Sequence, residues 1–136
     1  MPDERIEIMR RVALFDGLSD RELEAVANAS KERRFDTGDT VVGEGEGGVG
    51  FFVVLDGTAT VTVGGREVNK LGPGDWFGEM ALLSTGGKRT ATVTADSDLR
   101  CAGMTAWEFK PFLANHPDAA WQVLETMAQR SAASGP

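Results

Sequence analysis

The chain has 136 residues, with fourteen Lys/Arg against twenty-one Asp/Glu, one histidine and a net charge of −7, so it suits one domain with a real core and is ill suited to direct binding of nucleic acid. No apolar run approaches the roughly 18–20 residues of a membrane-spanning helix, and Met1-Pro2-Asp3-Glu4-Arg5 is charged where a secretory signal would be apolar. A single cysteine, Cys101, excludes an internal disulfide framework, reads as a small buried strand residue and fits a reducing cytosol, so a cytoplasmic protein is expected.

In chain order, Ile6, Met9, Val12 and Ala13 have the spacing of a short helix, and Phe15 is expected to insert into the core. A clearer start signal follows in Leu18-Ser19-Asp20-Arg21-Glu22-Leu23. Ser19 and Glu22 have capping-box spacing, and Leu18 and Leu23 that of a hydrophobic staple. Leu23, Val26 and Ala27 then form one apolar stripe.

Fourteen of the seventeen glycines fall between Gly38 and Gly87, which marks that stretch as turn-rich β structure. Strands are expected at Arg33–Phe35, Thr40–Val42, Phe51–Leu55, Thr58–Val63, Arg66–Leu71, Arg89–Ala95 and Leu99–Met104, with Trp76-Phe77 opening a further run. In Thr58–Val63 the residues Ala59, Val61 and Val63 share one face, and Gly64-Gly65 suits a two-residue hairpin turn. Gly72-Pro73-Gly74-Asp75 reads as a turn. About eight strands between flanking helices suit a mostly β, jelly-roll-like β-roll.

The second flank repeats the capping logic. Thr105 and Glu108 form a capping box with Met104 and Phe109 as its staple, and Pro111 is expected to kink that helix or delay its start. His116-Pro117 opens a last helix whose apolar face reads Ala120, Val123, Leu124, Met127 and Ala128. Ser131–Pro136 reads as a disordered small-residue tail, which leaves residues 1–130 as the domain.

The residues with the most distinctive chemistry are Phe77-Gly78-Glu79-Met80-Ala81-Leu82-Leu83 and Arg89-Thr90-Ala91-Thr92-Val93. Gly78 permits close backbone approach, and Glu79–Leu83 can form one helical turn whose first amides and dipole favour a phosphate. Strand alternation puts Arg89 on the side of Ala91, Val93 and Ala95. A guanidinium facing the inside of a roll needs an anion to satisfy it. Its planar fork matches two phosphate oxygens. Glu79 is equally able to pair with Arg89 or to cap the turn, so spacing alone leaves the use of this pair open.

Together the two runs resemble, across nearly its full length, the phosphate-binding cassette of the cyclic nucleotide-binding domains. Leu14-Phe15, Gly17-Leu18-Ser19, Gly38-Asp39, Gly45, Phe51–Val54, Gly57 and Leu71–Asp75 are also similar to that family's pattern, so the resemblance spans roughly residues 5–130. It implies a β-roll with N-terminal helices and C-terminal lid helices. It also implies that Gly78 and Glu79 hold a ribose 2′-hydroxyl and that Ala81 and Arg89 bind a cyclic phosphate. Met80 belongs to the same turn, and Thr90 reaches the phosphate or a syn purine base. Leu82 and Leu83 pack the turn on the roll, and Leu124 and Met127 are candidate lid residues over the base. Lys88 stands where many members have proline, which adds positive charge beside the phosphate, and Gly86-Gly87 loosens the same loop.

The implied function is a non-enzymatic sensor of cAMP, favoured over cGMP, that signals by moving its C-terminal helix to an effector protein or a homodimer partner. It needs no cofactor and no metal. An alternative is a nucleotide-free interaction module with the same fold, using Trp107 and Trp121 as partner surface. A metal-dependent barrel enzyme does not fit a single histidine, His116, outside the β core.

Overall fold

In the computed structural model, residues 4–12, 15–43, 50–78 and 91–134 are described. Two helices come first, α1 (Glu4–Met9) and α2 (Asp20–Ala29). Eight strands follow among the described residues: β1 (Lys31–Phe35), β2 (Thr40–Val42), β3 (Gly50–Asp56), β4 (Ala59–Val63), β5 (Arg66–Leu71), β6 (Trp76–Phe77), β7 (Thr92–Ala95) and β8 (Leu99–Thr105). Helices α3 (Ala106–Asn115) and α4 (Pro117–Ser134) close the order.

The strands form two antiparallel four-stranded sheets, ordered β1-β8-β3-β6 and β2-β7-β4-β5. This is the expected jelly-roll-like roll. The β4–β5 hairpin is closed by Gly64 and Gly65, both at positive φ, with Val63 opposite Arg66. A bulge between Val61 and Thr62 interrupts the register behind it.

The central strands β3 and β8 of the first sheet are buried on both faces, and alternation sorts their residues. Phe52 and Val54 of β3, with Leu99 and Cys101 of β8, face the second sheet, where they meet Ala59, Leu71, Val93 and Ala95. Phe51, Val53 and Leu55 of β3, with Ala102 and Met104 of β8, face the helices. There they join Met9, Val12, Phe15, Leu23, Val26, Ala27, Phe112, Ala119 and Val123. Phe15 inserts edge-on against Phe112, with ring centroids 5.6 Å apart.

The helix signals lie where the sequence puts them. The Ser19 N–H donates to Glu22 Oε1 (3.0 Å) and the Glu22 N–H to Ser19 Oγ (3.2 Å), so two otherwise orphaned amides are satisfied at the start of α2. At α3, the Thr105 N–H and hydroxyl both donate to Glu108 Oε1, each at 2.9 Å. Pro111 causes no delay: α3 starts directly after Thr105 and contains it. Helix α4 continues to Ser134, four residues into the segment read as disordered, because Ser131, Ala132, Ala133 and Ser134 contain no breaker before Gly135.

Candidate functional site

The candidate site is anchored by the turn that precedes β6. The Gly72 N–H donates to Asp75 Oδ2 (2.8 Å), and the Asp75 N–H donates to the Gly72 carbonyl (3.0 Å). Two further bonds tie this turn to β3, Gly74 N–H to the Val54 carbonyl (2.9 Å) and Val54 N–H to the Asp75 carbonyl (2.8 Å). The chain then enters β6, where Val53 pairs with Trp76 and Phe52 with Phe77. Phe77 is buried in the roll, its ring stacked on Phe52. Gly78 follows at φ 97°, a backbone region that L side chains rarely adopt, so the chain turns here without a Cβ penalty.

On the far side, the chain returns through β7 between β2 and β4, at the middle of the second sheet. The end of β7 is fixed by Ala95 N–H to the Asp39 carbonyl (2.9 Å) and Gly38 N–H to the Ala95 carbonyl (2.7 Å). Val93 and Ala95 are buried in the roll, while Thr92 and Thr94 are half-buried, which is the expected facing. The segment between β6 and β7 thus leaves the edge of one sheet and enters the centre of the other.

Of the predicted site residues, Gly78 is placed by the structure, whereas Glu79, Met80, Ala81, Arg89 and Thr90 lie outside the described residues, as do Leu82 and Leu83. The two candidate lid residues part company. Met127 packs against the helix-side core, while Leu124 is 53% exposed, close to Trp121 along the same helix at 64%. Of the predicted α4 face, Val123 is buried and Met127 packs on the core, Ala120 is half-buried, and Leu124 and Ala128 are exposed, while Ala119, outside that prediction, is buried. Sequence reading also passed over Trp76 as more than a strand residue. The available signal was alternation: a large aromatic beside Phe77 must face the opposite side of the sheet, and Trp76 lies in the helix-side cluster.

The titratable groups away from the cassette have structural roles. Burial pushes the Cys101 thiol up to about 12, so it is no nucleophile at neutral pH. His116 joins α3 to α4, with its Nε2 3.6 Å from Glu22 Oε2 and its ring 4.7 Å from that of Phe112. Among the described residues, no three His, Cys, Asp or Glu side chains gather as a metal site. No helix among them is long and apolar enough to cross a membrane.

The family model of the cyclic nucleotide-binding domain matches residues 32–116, which include the whole run from Gly78 to Thr90. The chain belongs to the cyclic nucleotide-binding domain family. A CRP-like cAMP-activated global transcriptional regulator of Mycobacterium tuberculosis is 28% identical to this domain over 129 residues, which is 91% of this chain and 57% of the regulator. A cGMP-dependent protein kinase of Toxoplasma gondii is 34% identical over 101 residues, 74% of this chain and 10% of the kinase. Among solved structures, cAMP-bound PfPKA-R (141–441) matches with a TM-score of 0.82 at 26% identity, covering 92% of this chain and 44% of that one. The chain therefore spans just over half of one curated relative and a tenth of the other.

Proposed function

We propose that residues 1–130 form one cyclic nucleotide sensor domain that performs no chemistry of its own, with cAMP as favoured ligand and cGMP second. The observation that carries this reading is the family match across the Gly78–Thr90 run, which in sequence links β6 to β7. Similarity to a cAMP-activated regulator over 91% of the chain and to a cAMP-bound structure supports the preference for cAMP.

In this reading Glu79 and the Gly78 backbone hold the ribose 2′-hydroxyl. The amides of the turn through Met80 and Ala81 meet the cyclic phosphate together with Arg89, and Thr90 adds a hydroxyl beside the phosphate or a syn purine. Ligand binding draws the turn inward and shifts the equilibrium of α4, a small two-state element. Leu124, open to solvent, serves as the lid side chain over the base, while Met127 holds the helix on its core. The signal passes to an effector protein or a second copy, in a cytoplasmic setting.

Thermal unfolding with excess cAMP, cGMP and AMP in parallel tests the proposal. A ligand present at about one hundred times its dissociation constant stabilises the fold by roughly 2.7 kcal/mol, which raises Tm by several degrees at this size. A rise with cyclic nucleotides and none with AMP is expected. No rise with any of them would move the function to a nucleotide-free interaction module, for which Trp121 and Leu124 offer exposed apolar surface.

A further inference from the structure

An open groove of about 230 Å³ lies between helices α2 and α3. Its apolar surface comes from Val26 of α2, Met104 of β8 and Phe112 of α3, all buried, with the exposed Ala25 and Pro111 beside them. The Phe112 ring packs against those of Phe15 and His116, so this surface is formed in advance. Two carboxylates, Glu22 and Glu108, also line the groove. Each is the capping-box residue of its helix. Glu22 Oε1 accepts from the Ser19 N–H and its Oε2 lies 3.6 Å from His116 Nε2, while Glu108 Oε1 accepts from Thr105. Both carboxylates are therefore positioned before a partner arrives, which lowers the ordering cost of meeting one. Among the described residues, no lysine or arginine lines the groove.

We propose that this groove is a docking site for a basic amphipathic helix of a partner protein. An apolar side chain of that helix seats on Val26, Met104 and Phe112, and flanking lysines or arginines meet Glu22 and Glu108. The charge of the groove sets the sign of its partner: anionic surfaces such as nucleic acid or acidic lipid are repelled. A strand is disfavoured as occupant, because β8, the strand that lines the groove, is already paired with β1 and β3 and offers no free edge. A second copy is disfavoured by charge, since none of the four helices carries a net positive charge. Met104 contributes an adaptable thioether at the contact, which suits side chains of differing shape. The inference uses no residue of the nucleotide site and does not depend on the sensor reading.

Two fluorescent peptides of about 18 residues, long enough to hold a helix, supply the probe. Both carry leucines at helical spacing; one flanks them with lysine and the other with glutamate. Anisotropy is followed on titration with the full chain at about 0.15 M salt, where diffuse surface attraction is screened. Saturable binding of the lysine peptide and none of the glutamate peptide is expected. Glu22→Gln with Glu108→Gln preserves the shape of both caps and is expected to weaken the lysine peptide about tenfold. Ala25→Arg, at an exposed helix position, places a cation in the groove and is expected to abolish binding. Should the glutamine pair not fold, Ala25→Arg alone carries the comparison. Glu67→Gln with Glu125→Gln makes the same change in net charge at exposed positions outside the groove and is expected to bind as the native chain does. Equal weakening by the two double variants would overturn the proposal, since general attraction to an acidic chain would then explain the binding. Equal binding of the two peptides, or of neither, would also overturn it. Dimerisation of the chain that Ala25→Arg abolishes would assign the groove to a second copy instead.

Discussion

The ring of Phe77 lies against that of Phe52, with centroids 5.1 Å apart and planes 20° from parallel. The two residues are also directly paired in the β3–β6 ladder, so the last strand residue before Gly78 is held by both backbone and ring. Aromatic pairs in such offset arrangements add about 0.5–1.5 kcal/mol beyond their area burial. Truncation of a buried phenylalanine costs about 3–5 kcal/mol in total. Phe77→Ala is therefore expected to lower stability by about that amount, read as a fall in the denaturant midpoint. Phe77→Leu is expected to lose less, because most of the volume remains.

The alternation that places Phe77 inside also explains how much of the fold was legible. Strands β2 and β5 fall on the predicted bounds, and the Ser19–Glu22 box and Gly64-Gly65 turn are present, because each rests on short-range chemistry. Strand β1 begins at Lys31, earlier than expected. Its first four residues are exposed, and pairing with β8 rather than an apolar pattern defines it. The predicted face of helix α4 holds at Val123 and Met127 but not at Leu124 and Ala128, for a related reason. Alanines on several sides give its pattern little contrast, so the sequence cannot say whether Ala119 or Ala120 faces inward. Packing chooses Ala119 and Val123 and leaves Trp121 and Leu124 outside. The cassette was legible as a motif, and the structure adds the two anchored strands that bracket it.

In the proposed site, anion binding is expected to turn on Arg89. Arg89→Glu sets a carboxylate against the phosphate, and cAMP binding measured by calorimetry is expected to disappear. Retention of native affinity by this variant would remove Arg89 from the site.

Glu79 is expected to act on the sugar and not on the phosphate. Glu79→Ala weakens cAMP binding less than Arg89→Glu does, and it narrows the preference for cAMP over its 2′-deoxy analogue. Competition between the two nucleotides reads this directly; an unchanged ratio would place Glu79 elsewhere, as a cap of the turn.

The α2 capping box gives a pH dependence with a definite sign. Hydrogen bonding from the Ser19 backbone, then its side chain, holds the Glu22 carboxyl below its ordinary 4.5, with His116 adding to the shift. A carboxyl whose folded value is depressed contributes stability above its unfolded value and loses that contribution as pH falls through the folded value. Glu22→Gln keeps a cap of the same shape without the charge. The native chain is expected to melt higher than this variant at pH 6, and the two curves are expected to converge below about pH 4.5.

Cys101 is fully buried and its thiol is pushed up to about 12. Maleimide labelling at pH 7.5 is expected to be negligible for the folded chain and rapid in denaturant. Labelling at equal rates in both conditions would contradict the inward facing of β8.

The central claim is that the run from Gly78 to Thr90 receives a cyclic phosphate with its ribose. The most direct test is calorimetric titration of the purified chain with cAMP and, at the same concentrations, with AMP. One-to-one saturable binding of cAMP with no measurable heat from AMP is predicted. Silence with cAMP and cGMP alike, or AMP binding as tightly as cAMP, would contradict the account.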